Sequence, residues 1–354
     1  MFWDDDYERN AYVGGIGTTL ASHFKFTGQA TITPGWYAGY VIHVEVYGSE
    51  NLLMIDQDRA TGPSLYDSDG LEGINYSGIS TLQSFWFIKS DHLGKVGVGR
   101  QSMASDNTAI LVDGSGSLVP ANYVPFDYGG FFLRTPAGDL SDTRIVGTFV
   151  HIDRNGLPQN AVRYDSPTFA GFSVSASWGE DDVWDVAARY AGEFNGFKVA
   201  IAGAYVESTD EAVISCLGPK CGINNLGPGD EHFQIGAYVE HVPTGVFAYG
   251  AWGDYNNDLI FAEAETWYVK AGLRERWTPL GHTVLYGEYL DGDQEAAGVD
   301  TGDFELWGLG IVQEIDAAAM STWVSYRNIE ASEGDLGPDS VDFQYIKAGA
   351  LINF

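Results

Sequence analysis

Five carboxylates, Asp106, Asp113, Asp127, Asp139 and Asp142, fall within one long connection, residues 102–159. Six cations, Lys95, Arg163, Arg189, Lys270, Arg274 and Lys347, sit elsewhere, on the less apolar side of alternating segments. Opposed rows of fixed charge at a narrow passage sort ions and orient polar solutes, and that is the chemistry this set could perform. Connections longer than ~12–15 residues without structure of their own are usually functional or disordered. This one also holds Ile110-Leu111-Val112, Phe126, Tyr128 and Phe131-Phe132-Leu133, which could pack on a wall, with Gly129-Gly130 permitting a sharp bend. Each charged residue alone reads equally as a solvated carboxylate or a cation near a rim; as a set they are expected to line a constriction. Arg134, Arg144 and Arg154 lie inside the stretch and offer local partners to Asp139, Asp142 or Asp153.

Other chemistries have thinner signals. The seven histidines, His23, His43, His92, His151, His232, His241 and His282, are scattered, with neither a Gly-x-Ser-x-Gly elbow nor a His-Glu-x-x-His helix. His151 is the one to test as a base, a surface or lumenal histidine being its bland reading, and no enzyme is expected. Cys216 and Cys221 lie in a Gly/Pro/Asn-rich connection where a small-loop disulfide can form in an oxidising compartment. A two-cysteine zinc site is the alternative, with His232 nearby but no second pair of ligands. Asp67, Asp69 and Glu72 have calcium-like spacing without the complete calcium-loop pattern, so calcium is an option and no cofactor is required. The net charge of −31 argues against nucleic acid, whose phosphates need clustered Lys and Arg, and predicts a potential that attracts cations.

The elements that must position these residues are extended. In 160–206, Phe172, Val174, Ala176 and Trp178 alternate with Ser173, Ser175 and Ser177, and the same period of two recurs after each turn. Strand-like segments fall at 1–4, 23–31, 36–47, 81–89, 95–101, 160–165, 171–178, 183–192, 197–206, 232–241, 246–255, 266–276, 282–290, 304–314, 320–328 and 342–354, sixteen in all. Their connections alternate between short ones such as 33–35, 193–196 and 278–281 and longer polar ones such as 48–80, 102–159, 207–231, 256–265 and 291–303, with 179–182 breaking the length rule. That order puts tight turns on one rim and loops on the other, as in an outer-membrane barrel. Ile346, Ala348, Ala350, Ile352 and Phe354 are expected to face lipid and Tyr345, Lys347 and Asn353 the lumen; Trp267, Val269, Ala271 and Leu273 likewise oppose Lys270, Arg274 and Arg276. No run approaches the ~18–20 apolar residues of a spanning helix. No linker divides residues 1–354, so one unit is expected. Met1-Phe2-Trp3 runs straight into Asp4-Asp5-Asp6 without a leader, so the numbering is expected to begin on a mature or trimmed chain, a cytosolic protein being the alternative.

With these residues in view the sequence resembles the Gram-negative general diffusion porins, in particular those of alphaproteobacteria. The stretches that carry the resemblance are FWDD from Phe2, FKFTG from Phe24, SDHLGKVGVGRQ from Ser90, NAVRYDSPTFAGFSVSASWGEDDVWD from Asn160, WTPLGHTVLYGEY from Trp277, WGLGIVQEIDAAAM from Trp307 and KAGALINF from Lys347. The terminal Phe354 matches the aromatic end that outer-membrane proteins present for assembly. The resemblance implies an all-β, sixteen-stranded antiparallel transmembrane β-barrel in the outer membrane of a Gram-negative bacterium, with its third loop, 102–159, folded into the lumen. It also implies a homotrimer among outer-membrane lipid and lipopolysaccharide, the second loop, 48–80, latching onto a neighbouring subunit. The expected function is passive diffusion of ions and small hydrophilic solutes, with cation preference inferred from the acid excess. A substrate-specific channel, or a barrel tethering an outer surface layer through acidic loops, is the alternative. Two departures stand out: the first strand is missing the residues that normally precede FWDD in the family, and the third loop carries PFDYGGFF from Pro125 in place of the enterobacterial constriction motif.

Overall fold

The computed structural model describes residues 1–11, 13–14, 22–47, 57, 78–125, 127–153, 156–209, 226–337 and 339–353. Asp67, Asp69, Glu72, Cys216, Cys221, Phe126, Arg154 and Phe354 lie outside the described residues, as does most of 48–80. In chain order the strands are β1 (Phe2–Asp4), β2 (Arg9–Ala11), β3 (Ser22–Thr33), β4 (Trp36–Tyr47), β5 (Gly78–Ser90) and β6 (Gly94–Gln101). Two short strands follow, β7 (Phe132–Arg134) and β8 (Leu140–Arg144), then β9 (Gln159–Asp165), β10 (Phe172–Gly179), β11 (Val183–Phe194), β12 (Phe197–Ser208) and β13 (Asp230–His241). The last six are β14 (Val246–Asn257), β15 (Ala262–Thr278), β16 (Gly281–Ala296), β17 (Val299–Ile315), β18 (Met320–Ser332) and β19 (Phe343–Ile352). No helix of the described residues is long and apolar enough to cross a membrane.

Seventeen of these strands form one antiparallel sheet, and β7 and β8 pair separately within the long third connection. All sixteen expected segments are strands, but the sheet has one more than expected, because Arg9–Ala11 folds back on Phe2–Asp4 and adds β2. Each strand from β3 to β6 pairs with the next, β6 pairs across the long connection with β9, and nearest-neighbour pairing continues to β19. The chain's two ends then meet, with Trp3 opposite Tyr345. Tight turns join the strands on one rim. Asn195 and Gly196, both at positive φ, make the turn that best matches strand twist between β11 and β12.

On the opposite rim two expectations fail. The connections expected at 256–265 and 291–303 are largely strand: β14 runs to Asn257 and β15 starts at Ala262, while β16 and β17 are joined only by Ala297 and Gly298, both at positive φ. The acidic residues there were read as loop for their polarity, yet they continue the alternation of the strands below. The loop rim therefore carries some tight turns, and the strict sorting of connection lengths does not hold.

From β11 to β18 the strands have one exposed and one covered side, whereas β3 is exposed on both. In β13, Phe233, Ile235 and Val239 are exposed while His232, Gln234, Tyr238 and Glu240 are buried. The covered side, here the inner face, is roofed by residues 102–159. Its apolar part joins Trp3, Phe131 and Phe343 to Tyr128, Phe149, Phe304 and Tyr268 in one cluster. The expected outward positions Trp267, Val269 and Ile346 are exposed, and Lys270 and Tyr345 are buried. If the exposed side meets hydrocarbon, Val269→Arg should cost about 2–4 kcal/mol in urea unfolding from lipid vesicles. An unchanged midpoint would mean that this face is wet.

Candidate constriction site

The third connection crosses the inner face and is anchored at successive strands. At its start, Asp185 of β11 accepts hydrogen bonds from the Ala104 and Ser105 backbone N–H groups at 3.1 and 2.7 Å and from the Ser105 hydroxyl at 2.6 Å. Arg189 of the same strand donates to the Ala104 carbonyl and to Thr108 Oγ1, both at 2.7 Å. Gln234 of β13 then accepts from the Ala109 N–H at 2.8 Å, and Tyr249 of β14 donates to the Ala109 carbonyl at 2.9 Å. The close approach requires Gly236, because a Cβ there would stand 2.3 Å from the Ala109 carbonyl oxygen.

Charge takes over further along. Lys270 of β15 meets Asp113 at 2.6 Å, with both side chains almost fully enclosed, and donates also to the Ala121 carbonyl at 2.8 Å. Arg327 of β18 pairs with Glu288 of β16 at 2.8 Å and reaches the Asn122 carbonyl at 2.8 Å. Tyr268 donates to the other Glu288 oxygen at 2.7 Å. Lys347 of β19 pairs with Asp127. Arg134 bonds Asp5 at 2.7 Å and Glu8 at 3.2 Å, tying the loop to the N-terminal segment. On the return, Thr266 donates to the Val150 carbonyl at 2.6 Å and Gln294 to that of Gly147 at 2.8 Å.

The expected charge set is therefore only partly brought together. Asp113 and Asp127 meet Lys270 and Lys347, in direct contact instead of facing across water. Asp106 accepts from Asn107 at 2.8 Å, and Asp139 and Asp142 are exposed. Lys95 and Arg163 both pair with the wall carboxylate Asp165, at 2.9 and 2.8 Å, and Arg274 pairs with Glu314 at 2.9 Å. Arg134 takes Asp5 and Glu8 as its carboxylates and donates within the loop to the Gly138 carbonyl at 2.9 Å, and Arg144 lies over the Phe132 ring at 5.1 Å. The anchors Asp185, Gln234, Glu288 and Arg327 were not anticipated. Period two puts Glu288 and Arg327 on the same sides as Tyr286 and Ser325, but their pairing crosses 39 residues and leaves no local signal.

The loop's contacts run along β9 to β19 and reach Trp3 of β1, and Gln83 of β5 donates to Ser102 at the loop's start. Across from them, Lys25, Thr27, Gln29 and Lys89 of β3 and β5 are exposed. Register puts them on the inner side: Lys25 lies opposite His43, and Lys89 opposite Lys95, which lies opposite Asp165. Lys25 and Lys89 were legible from the alternation with Phe24, Phe26, Trp86 and Ile88, and were missed.

An antiparallel sheet with an apolar exposed side and a charged loop on its other face defines an outer-membrane channel protein built of transmembrane strands. The family model for Gram-negative porins matches residues 5–334, and the chain belongs to that family. Among solved structures, an anion-selective porin from Comamonas acidovorans superposes with a TM-score of 0.59 at 12% identity, covering 99% of this chain and 94% of that one. OmpT, an outer membrane protein of Vibrio cholerae, gives 0.56 at 13% identity, covering 99% and 92%. Its trimer form gives 0.54 at 15%, covering 99% and 96%. Comparison with curated protein sequences gave no match.

Two outcomes follow for the anchors. Arg327→Met leaves Glu288 buried without its counter-charge, a loss of about 3–5 kcal/mol in chemical unfolding, with a larger and noisier single-channel current as the loop loosens. Burial alone would raise the Asp127 carboxyl, but the Lys347 and Arg327 charges hold it below its ordinary value of 3.8. Its contribution is thus complete above pH 3.8 and is lost as pH falls through the lower, folded value. Currents should be steady from neutral pH down to that point and become noisy below it, and Asp127→Asn should show that noise at neutral pH.

Proposed function

We propose that the sheet closes into a sixteen-stranded barrel, with β2 an accessory strand, and that residues 1–354 form one unit. Residues 102–159 narrow its lumen, leaving a water-filled passage between the loop and the exposed inner side of β3 and β5. Ions and small hydrophilic solutes diffuse through it without catalysis or cofactor. The observation that supports this most is a loop seated on one stretch of wall by the buried Lys270–Asp113 pair and by the bond from Arg327 to the Asn122 carbonyl, while Lys25, Thr27, Gln29 and Lys89 remain exposed on another.

The passage prefers cations in this reading. Most wall cations are neutralised where they stand: Lys270, Arg327, Lys347 and Arg274 each face a carboxylate. Lys25 and Lys89 then work against a chain whose net charge is −31. The protein works as a homotrimer, as the trimer form of the Vibrio cholerae neighbour suggests, surrounded by outer-membrane lipid and lipopolysaccharide. Calcium at Asp67, Asp69 and Glu72 and a Cys216–Cys221 disulfide remain part of the proposal, on sequence grounds alone. In a planar bilayer under a KCl gradient the purified protein should give discrete conductance steps with a cation-selective reversal potential. Lys25→Glu combined with Lys89→Glu should increase that selectivity. A reversal potential of the opposite sign would remove the cation assignment, and no steps at all would remove the channel.

A further inference from the structure

Phe85 and Phe87 of β5 are on the inner side of the wall but outside the apolar cluster that the loop covers. Phe85 lies opposite Val41, itself opposite Thr27, and Phe87 lies opposite Gly39, itself opposite Gln29. Thr27 and Gln29 are exposed, and both phenyl rings are half-buried. Phe87 leans over Gly39, where a Cβ would stand 2.4 Å from its ring, so its covered part rests on backbone and the remainder borders the passage. Water on a channel wall favours polar side chains, and a contiguous apolar patch rimmed by polar groups marks a surface that something else contacts.

The rim of this patch is cationic. Lys89 lies directly opposite Lys95, whose ammonium stands 5.9 Å from the centroid of the Phe85 ring. Asp165 is already shared by Lys95 at 2.9 Å and Arg163 at 2.8 Å, and Asp91 of the adjoining turn is directed to the Tyr37 hydroxyl at 3.5 Å. Among the described residues Lys89 forms no ion pair. Like charges directly opposite destabilise a sheet, and an anion arriving at Lys89 offsets that cost. Lys89 follows Phe87 by two residues, ~7 Å along a strand. A single ring stacked on Phe87 can therefore present an acid group to the Lys89 ammonium.

We propose that the open inner side of β3–β6 binds a small aromatic carboxylate in transit, its ring on Phe85 and Phe87 and its carboxylate at Lys89. The proposal rests on the channel reading above and names a class of solute for it. Ring contact and a charge-assisted hydrogen bond act on the same molecule, which neither a neutral ring nor a simple anion can match. Chloride has no ring to stack and gains nothing from the two phenyls, so the site is compatible with a cation-preferring passage.

The test is single-channel recording in a planar bilayer with KCl on both sides, adding sodium benzoate, sodium acetate or benzamide. Benzoate should lower the current in a saturable way, with its half-effect at a concentration about tenfold below that of acetate, which lacks the ring, or of benzamide, which lacks the charge. Each variant is compared with its own current in KCl alone. Lys89→Met should bring benzoate to the level of benzamide, and Phe87→Thr should weaken benzoate about fivefold without altering acetate. Equal action of benzoate and acetate on the unaltered protein overturns the proposal, because charge alone would then account for the effect. Equal action of benzoate and benzamide overturns it as well, leaving only apolar contact. A benzoate effect that survives both substitutions places the site elsewhere and does the same. Discrete steps in KCl with no benzoate effect overturn the proposal and leave the channel reading standing, whereas no steps in KCl remove both.

Discussion

Hydrocarbon offers a backbone amide no partner, and each unpaired group there costs several kcal/mol. The ladder running from β3 through β19 to β1 meets that constraint strand by strand. Side chains then have only two directions available, and alternation becomes compulsory. The contrast between exposed Phe233, Ile235 and Val239 and buried Gln234, Tyr238 and Glu240 on one strand is the direct consequence. The inner side is free to be polar because lipid never touches it.

A polar inner face would not by itself hold a loop. Isolated buried charges are expensive, and a pair gains only if its remaining hydrogen-bonding capacity is met. Lys270 and Arg327 satisfy this condition with backbone carbonyls of the loop, at Ala121 and Asn122, in addition to their carboxylates. The wall cations therefore need the loop as much as the loop needs them. The aromatic cluster of Trp3, Phe131, Phe343, Tyr128 and Phe304 adds apolar contact beside these charges, with the Arg327 guanidinium over the Tyr128 ring at 5.6 Å. Position and rigidity of the loop thus come from mutual satisfaction between two parts of the chain that are distant in sequence.

That distance explains what could be read in advance. Period two is a local signal, so all sixteen segments are legible from it, as are the exposures of Val269 and Ile346 and the opposite side of the strand for Lys270, but not its burial beneath the loop. Asp113 and Lys270 were both picked out as charged residues of interest, yet nothing in either neighbourhood links residues 157 positions apart. Glu288 and Arg327 are harder still, since each looks like an ordinary polar member of an alternating strand. The errors at 256–265 and 291–303 have a different origin. Acidic composition there points to a loop, but Ala264, Thr266, Gly292 and Gln294 keep the beat between Glu263, Glu265, Asp291 and Asp293, and periodicity prevails.

Those acids also change how the charge of the chain is understood. The total of −31 does not all act on the passage, because seven of the carboxylates, Asp254, Glu265, Asp291, Asp293, Asp303, Glu305 and Glu330, stand on the other side of the wall. Within the inner face, Lys270, Arg327, Lys347 and Arg274 each stand against a carboxylate. Charge on the outer face acts on ions in the passage only across the wall or around the rim, and screening by salt falls within ~10 Å at 0.1 M. Selectivity should then depend on ionic strength more steeply than a ring of charge in the constriction itself would require, because the distant acids are screened first and Lys25 and Lys89 last.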